Sequence, residues 1–242
     1  MEAKNKNAMI IAVKMKSVSF LLLFLLYLRL LGTHAQTTSV TVGGDTVKVG
    51  EITTMTCSYT VSTNDALDRL VWFRADADGT PILGNPIVSS DTGETSNGRY
   101  SLSNDKDLMI SAVEVNDAGN YLCRIITQNG QVADDYDELI VQYLDTPVVT
   151  PAQLSVKMDD TATFTTEPVG FPTPITITWI KGDATLDVSD TEKYPNYDAT
   201  LTIDNVNETD EGDYKCRVEN AAYMGVEGKL SNTATLSIGW WE

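Results

Sequence analysis

Three cysteines, one histidine and a dense run of carboxylates are the residues of this 242-residue chain best equipped to react, ligate a metal or bind a partner. Cys57, Cys123 and Cys216 are widely spaced, and no Cys-x-x-Cys pair, glycine-rich phosphate loop or nucleophile elbow occurs, so redox, nucleotide and hydrolase signatures are missing. The one histidine, His34, falls in an N-terminal stretch that reads as removable. Without it there is no Ser-His-Asp or Cys-His site and no His-ligated metal. The expectation is a non-enzyme with no cofactor. Asp134, Asp135, Asp137 and Glu138 form the densest carboxylate group. They fit a calcium site, a contact for a basic partner, or a solvated acidic turn. Asp76-Ala77-Asp78-Gly79 resembles the start of a calcium loop, but the twelfth position, where a bidentate Glu is needed, holds Ile87; a turn between strands is expected instead. Asn207-Glu208-Thr209 is the single N-x-[ST] sequon, a glycosylation acceptor if the chain is secreted.

Composition bounds the partners. With 17 basic and 34 acidic residues the formal charge is −17 and the pI about 4.3. That balance argues against nucleic acid, whose phosphates demand clustered Lys and Arg. A charged fraction of 21% beside a hydrophobic fraction of 42% is that of a folded chain. Lys4, Lys6, Lys14 and Lys16 precede an apolar run over residues 18–28, and Gly32-Thr33-His34-Ala35 follows. A basic region, a short apolar core and small residues before a cut describe a secretory signal peptide over residues 1–35, with Met15 as an alternative initiator. A membrane anchor is the rival, but the run is half the ~20 residues a bilayer needs and Arg29 interrupts it. Removal leaves 12 basic and 33 acidic residues, a charge of −21. The mature chain is expected to be secreted, without a membrane span, where disulfides form.

Short β-type runs such as Ser39-Val40-Thr41-Val42 and Leu70-Val71-Trp72-Phe73 recur between Gly, Asn and Asp clusters, without sustained helical periodicity. One pattern appears twice. Asp117-Ala118-Gly119-Asn120-Tyr121-Leu122-Cys123 and Asp210-Glu211-Gly212-Asp213-Tyr214-Lys215-Cys216 both read D-x-G-x-Y-x-C, and each has an upstream tryptophan, Trp72 or Trp179.

These residues resemble the immunoglobulin superfamily over almost the whole mature chain. The resemblance implies an all-β fold: two tandem antiparallel immunoglobulin-like sandwiches, a V-type domain over residues 36–144 and a C2/I-type domain over 145–242. In the first it implies a Cys57–Cys123 inter-sheet bridge, Trp72 packed on it, a tyrosine corner at Tyr121, and an Arg99–Asp117 salt bridge. The 66-residue gap leaves room for C′ and C″ strands. In the second, Thr166 stands where strand-B Cys is usual, so the bridge is missing. Cys216 is then a free buried thiol, or forms an intermolecular disulfide. Trp179 and Tyr214 keep their places, C″ and D are expected to be lost, and Phe164, Trp179, Leu201, Ile203 and Val218 must supply the core.

The resemblance implies recognition, not catalysis. The ligand-facing loops are expected near residues 60–68, 84–98 and 127–136, the last carrying Asp134, Asp135, Asp137 and Glu138 as candidate binding residues. The architecture is similar to secreted V- and C-domain-bearing immune-type proteins of invertebrate chordates, with a protein or a microbial surface as ligand. The alternative is an adhesion ectodomain, or a soluble form of one, binding homophilically through the CC′FG face; a structural spacer is a third reading. Trp240 and Trp241 suit packing on the domain base, a partner contact or a truncated product.

Overall fold

The computed structural model describes residues 36–82, 86–91 and 98–239. The leader reading, Trp240, Trp241 and most of the expected 84–98 loop lie outside them. The first sandwich contains β1 (Ser39–Gly43), β2 (Asp45–Lys48), β3 (Thr53–Thr60), β4 (Leu67–Ala75), β5 (Val88–Ser89), β6 (Tyr100–Ser103), β7 (Asp107–Ile110), β8 (Gly119–Thr127) and β9 (Val132–Leu144). The second contains β10 (Val149–Thr150), β11 (Gln153–Lys157), β12 (Ala162–Thr166), β13 (Gly170–Phe171), β14 (Thr176–Lys181), β15 (Ala184–Thr185), β16 (Asn196–Tyr197), β17 (Thr200–Ile203), β18 (Gly212–Glu219), β19 (Lys229–Leu230) and β20 (Ala234–Gly239).

In the first sandwich a back sheet β1-β3-β7-β6 faces a front sheet β9-β8-β4-β5. In the second, β10-β12-β17-β16 faces β11-β20-β18-β14-β15. Alternation sets the faces: Thr53, Met55 and Cys57 of β3 are buried while Thr54, Thr56 and Ser58 are exposed, the two-residue period of a sheet with one wet side. Pairing is antiparallel except where the chain crosses between sheets: β2 lies parallel to β9, and β11 parallel to β20. Gly43 and Gly44 make the first crossover. A Cβ on Gly44 would sit 2.4 Å from the Glu138 carbonyl oxygen, and one on Gly43 2.6 Å from Thr56 Oγ1, so only glycine lets the chain pass so close.

The first core closes on Cys57–Cys123, with Trp72 fully buried against it. The Trp72 indole N–H donates to Lys106 O at 2.8 Å, so the ring's polar atom is satisfied in the core. Beneath it Tyr121 donates its hydroxyl to Asp117 O at 2.8 Å. The Asp117 carboxylate, nearly inaccessible, accepts Arg99 Nη1 at 2.6 Å, Tyr100 Oη at 2.7 Å and Glu114 N at 2.8 Å. Burial pushes its carboxyl up, and the guanidinium, hydroxyl and N–H together outweigh that and hold it below the ordinary aspartate value.

The second sandwich repeats this device with other residues. Trp179 donates to Asp198 O at 2.9 Å, Tyr214 to Asp210 O at 2.7 Å, and Lys193 takes the arginine's place, 2.6 Å from Asp210 Oδ2. No bridge spans this core. Cys216 is a buried free thiol whose sulfur lies 3.8 Å from Thr166 Oγ1, and burial raises its pKa. Phe164 stacks on Tyr214 at 5.3 Å, and Leu201, Ile203 and Val218 complete the layer. The expectation that strand D is lost here is corrected: β16 persists as two residues, Asn196↔Thr202 and Tyr197↔Leu201. The Tyr197–Leu201 pairing still caps the sheet edge, so the strand shortens rather than vanishes.

The sandwiches share a strand. The end of β9 pairs with β13, Tyr143↔Phe171 and Leu144↔Gly170, and Leu144 is buried in the second core. Tyr223 donates to Gln142 O at 3.2 Å, Asn220 to Tyr143 O at 3.2 Å, and Lys48 reaches Glu227 at 2.6 Å while lying over the Tyr223 ring. With no slack between the sandwiches, swivelling about the junction breaks backbone pairing.

Cys57→Ala should lower the stability of the first sandwich by about 2–5 kcal/mol in thermal unfolding, and Thr166→Cys should add up to about 2–4 kcal/mol to the second on closing a bridge to Cys216. Arg99→Met should cost about 3–5 kcal/mol by stranding the Asp117 charge. Because Asp117 is depressed in the folded state, its contribution is full above the unfolded aspartate value near pH 4 and is lost as pH falls through the folded value. Arg99→Met should therefore flatten the acid limb of a stability-versus-pH curve.

Candidate functional site

The outward surface of β4, β5, β8 and β9 is turned away from the partner sheet. Alternation turns Leu70, Trp72, Cys123 and Ile125 inward, leaving Arg69, Val71 and Phe73 of β4 and Leu122, Arg124 and Ile126 of β8 outward. Register joins them into rows: Phe73 opposite Leu122 and Leu122 opposite Tyr136; Val71 opposite Arg124 and Arg124 opposite Asp134. A shallow depression results, lined by Arg69, Val71, Phe73, Asp91, Arg124 and Ile126. Arg124 donates to Asp134 Oδ2 at 2.5 and 2.8 Å with its guanidinium 5.8 Å from the Phe73 ring centroid, and Arg69 lies 3.8 Å from Asp91. Exposed pairs of this kind add little stability. Here they fix an alternation of charge around an apolar floor.

Tyr136 anchors the upper edge. Its ring lies where a Cβ on Gly79 would be, 2.1 Å away, and Gly79 has φ +80°. The turn beneath is held by its own acids: Thr80 N–H donates to Asp76 Oδ1 at 2.8 Å and Thr80 Oγ1 to Asp78 Oδ1 at 2.7 Å. The Thr80 hydroxyl, with Asp76, draws the Asp78 carboxyl down to about 2. This is a hairpin turn between β4 and the following segment, and its carboxylates are engaged internally.

The acidic group requires a correction. Asp134, Asp135, Asp137 and Glu138 do not sit on an F–G loop: they lie within β9, and the turn before it spans residues 128–131, where Gly130 N–H donates to Thr127 O at 2.8 Å. Because β-strands alternate, the four split between two jobs. Asp134 faces out and pairs with Arg124. Asp135 accepts Val42 N–H and Asp137 accepts Gly44 N–H, each at 2.9 Å, so both pin the crossover from β1 to β2. Glu138 is exposed. The group therefore does not converge on one site.

Asn207 caps a single 3₁₀ turn. Its Oδ1 accepts Thr209 N–H at 2.9 Å and Thr209 Oγ1–H at 2.6 Å, and the residue is exposed. Cys57, Cys123, Trp72, Tyr121, Arg99 and Asp117 come together in the first core, and Trp179, Tyr214 and Cys216 in the second. Sequence reasoning missed Lys193. The signal was present: Arg99-Tyr100 and Lys193-Tyr194 stand 18 and 17 residues before Asp117 and Asp210. It also missed the outward apolar row of Val71, Phe73 and Ile126, hidden among residues that read equally as core.

Comparison with known proteins agrees with this geometry. Residues 45–142 match the family model described as the immunoglobulin V-set domain, and residues 146–220 the one described as the immunoglobulin domain. Roundabout homolog 1 of Homo sapiens is 35% identical over 131 residues, covering 54% of this chain and 8% of that protein. Peroxidasin homolog of Homo sapiens is 33% identical over 194 residues, 80% of this chain and 12% of that protein. The chain thus spans about a tenth of the length of these relatives. Among solved structures, the N-terminal four Ig domains of Dscam1 isoform 6.44 align at TM-score 0.52 and 18% identity, covering 86% of this chain and 47% of that one. The titin I-band fragment I67–I69 aligns at 0.51 and 21%, covering 86% and 66%. Two sandwiches, each with a buried tryptophan and a tyrosine corner, and two matching family models make this chain a member of the immunoglobulin superfamily, a V-type domain followed by a C-type domain.

Proposed function

We propose that this protein is an extracellular adhesion-type recognition module that binds protein through the outward face of β4, β5, β8 and β9, and binds a second copy of itself there. The observation that carries the reading is the charge pattern around that face: Arg69 and Arg124 stand beside Asp91 and Asp134 on an apolar floor of Val71, Phe73 and Ile126. A two-fold contact places each patch against its own copy, and a floor rimmed by both signs is self-complementary in a way that a uniformly acidic face is not. The Cys57–Cys123 bridge supports an oxidising, extracellular setting. No helix among the described residues is long and apolar enough to cross a membrane. The secreted, innate immune-type reading rests on the two-domain architecture, and the acidic F–G loop expected as its contact is absent, because the turn at residues 128–131 carries no carboxylate; the adhesion reading is therefore preferred.

Phe73→Glu places a charge on the apolar floor without touching either core. It should abolish self-association in sedimentation velocity, and aggregation of protein-coated beads, while leaving the circular dichroism spectrum unchanged. Equal association of variant and parent rejects the face as the contact. Asn207 is proposed as glycosylated: material secreted by eukaryotic cells should lose mass on treatment with an amide-cleaving glycosidase, and Asn207→Gln should show no such loss.

A further inference from the structure

The recognition face does not account for a second concavity, at the junction of the sandwiches. Strand β9 runs past the first residue of β8, whose pairing begins at Gly119↔Leu139, before it meets β13 at Tyr143↔Phe171. The gap between those partners leaves a cleft of about 340 Å³ floored by Val115, Ala118, Ile140, Tyr143 and Phe171. Val115 and Phe171 are 41% and 44% exposed, an apolar surface that water leaves unfavourably solvated. Across β9 lies a second hollow, lined by Gly44, Asp45, Thr46, Asp137, Glu138 and Ile140. Glu138 and Ile140 border both, so the two form one groove over the outward side of β9, apolar at one end and carboxylate-lined at the other. Among the described residues no Lys or Arg makes an ion pair with Asp45, Asp137 or Glu138.

We propose that this groove docks an extended segment of a different protein, one that places an aromatic or branched aliphatic side chain in the Val115–Phe171 cleft and an arginine or lysine against Asp45 and Glu138. Charge complementarity selects the occupant: the acidic end leaves a partner's cation to be supplied from outside, and a chain with 34 acidic and 17 basic residues is a poor source of it. Geometry sets the spacing. Neighbouring strands lie about 4.8 Å apart, so the two ends of the groove, one strand to each side of β9, are about 10 Å apart across it, and the cleft beside Ile140 and Val141 is offset about 3–7 Å along it from Asp45, which lies opposite Leu139. Residues i and i+2 of an extended segment span about 7 Å on one face, and an arginine stem covers the rest. The groove lies along the Glu138–Tyr143 end of β9 and shares no lining residue with the Arg69–Phe73–Asp91–Arg124 depression, so it stands or falls independently of homophilic binding.

The test titrates the ¹⁵N-labelled mature chain with the peptide acetyl-Ser-Arg-Ser-Phe-Ser-amide and with the same peptide carrying Glu in place of Arg. The expected result is saturable shifts of the Val115, Ile140 and Phe171 amides with the Arg peptide alone. Glu138→Lys should weaken the apparent affinity at least fivefold, and so should Phe171→Ser, whose backbone pairing with Tyr143 survives the change; unchanged circular dichroism verifies both folds. No saturable shift, equal response to the two peptides, or shifts confined to Phe73 and Ile126 overturns the proposal. Self-association lost on Phe171→Ser also overturns it, by showing that a second copy fills the groove.

Discussion

Strand β9 spends its hydrogen-bonding capacity on both edges, and the rest of the molecule is arranged to let it. Over Val132–Leu139 it pairs with β8, over Leu139–Gln142 it pairs in parallel with β2, and at Tyr143 and Leu144 it pairs with β13 of the following sandwich. A strand edge left open is both costly and adhesive, so each partner has to arrive in register. The Gly43-Gly44 crossover delivers β2, the carboxylates of Asp135 and Asp137 hold that crossover in place, and Leu144 anchors the far end in the second core. The outward face of β9 is thereby held by pairing along both edges, which suits a surface used for contact.

Much of this was legible in the sequence, and the boundary is instructive. The D-x-G-x-Y-x-C repeat marks each tyrosine corner because the roles are local: the Asp carbonyl, the glycine with positive φ and the tyrosine lie within four residues of one another. Thr166 was legible as the missing cysteine because the strand period fixes which side chain faces Cys216. The acidic group was misread for a related reason. Four carboxylates in five residues look like a loop to any measure of polarity, yet alternation sends successive ones to opposite sides of a strand, and only three-dimensional pairing shows that Val42 N–H and Gly44 N–H need two of them. The short β16 escaped notice because two residues carry no periodicity.

A large negative charge does not by itself advertise where a protein binds. Asp117 and Asp210 are structural, as are Asp76 and Asp78 in their turn and Asp135 and Asp137 at the crossover. Of the other acids of the first domain, Asp91 and Asp134 join a mixed rim around an apolar floor, and Glu138 borders a groove further along β9. Differently patterned surfaces on one rigid support allow one contact to orient the molecule while another is made.

The unequal bridging of the two sandwiches takes on another meaning when the chain is pulled from its ends. In both sandwiches the outermost parallel pair, β2 with β9 and β11 with β20, is loaded lengthwise, so its hydrogen bonds share the load instead of opening one at a time. Once that clasp yields in the first sandwich, Cys57–Cys123 keeps a 66-residue segment from extending, withholding about 220 Å of contour length at ~3.4 Å per residue. The second sandwich has no such stop and can pay out along its whole length. Under tension the first sandwich thus lengthens only by the strands outside its bridge, while the second lengthens throughout, and most of the compliance lies on the side away from the β4-β5-β8-β9 face.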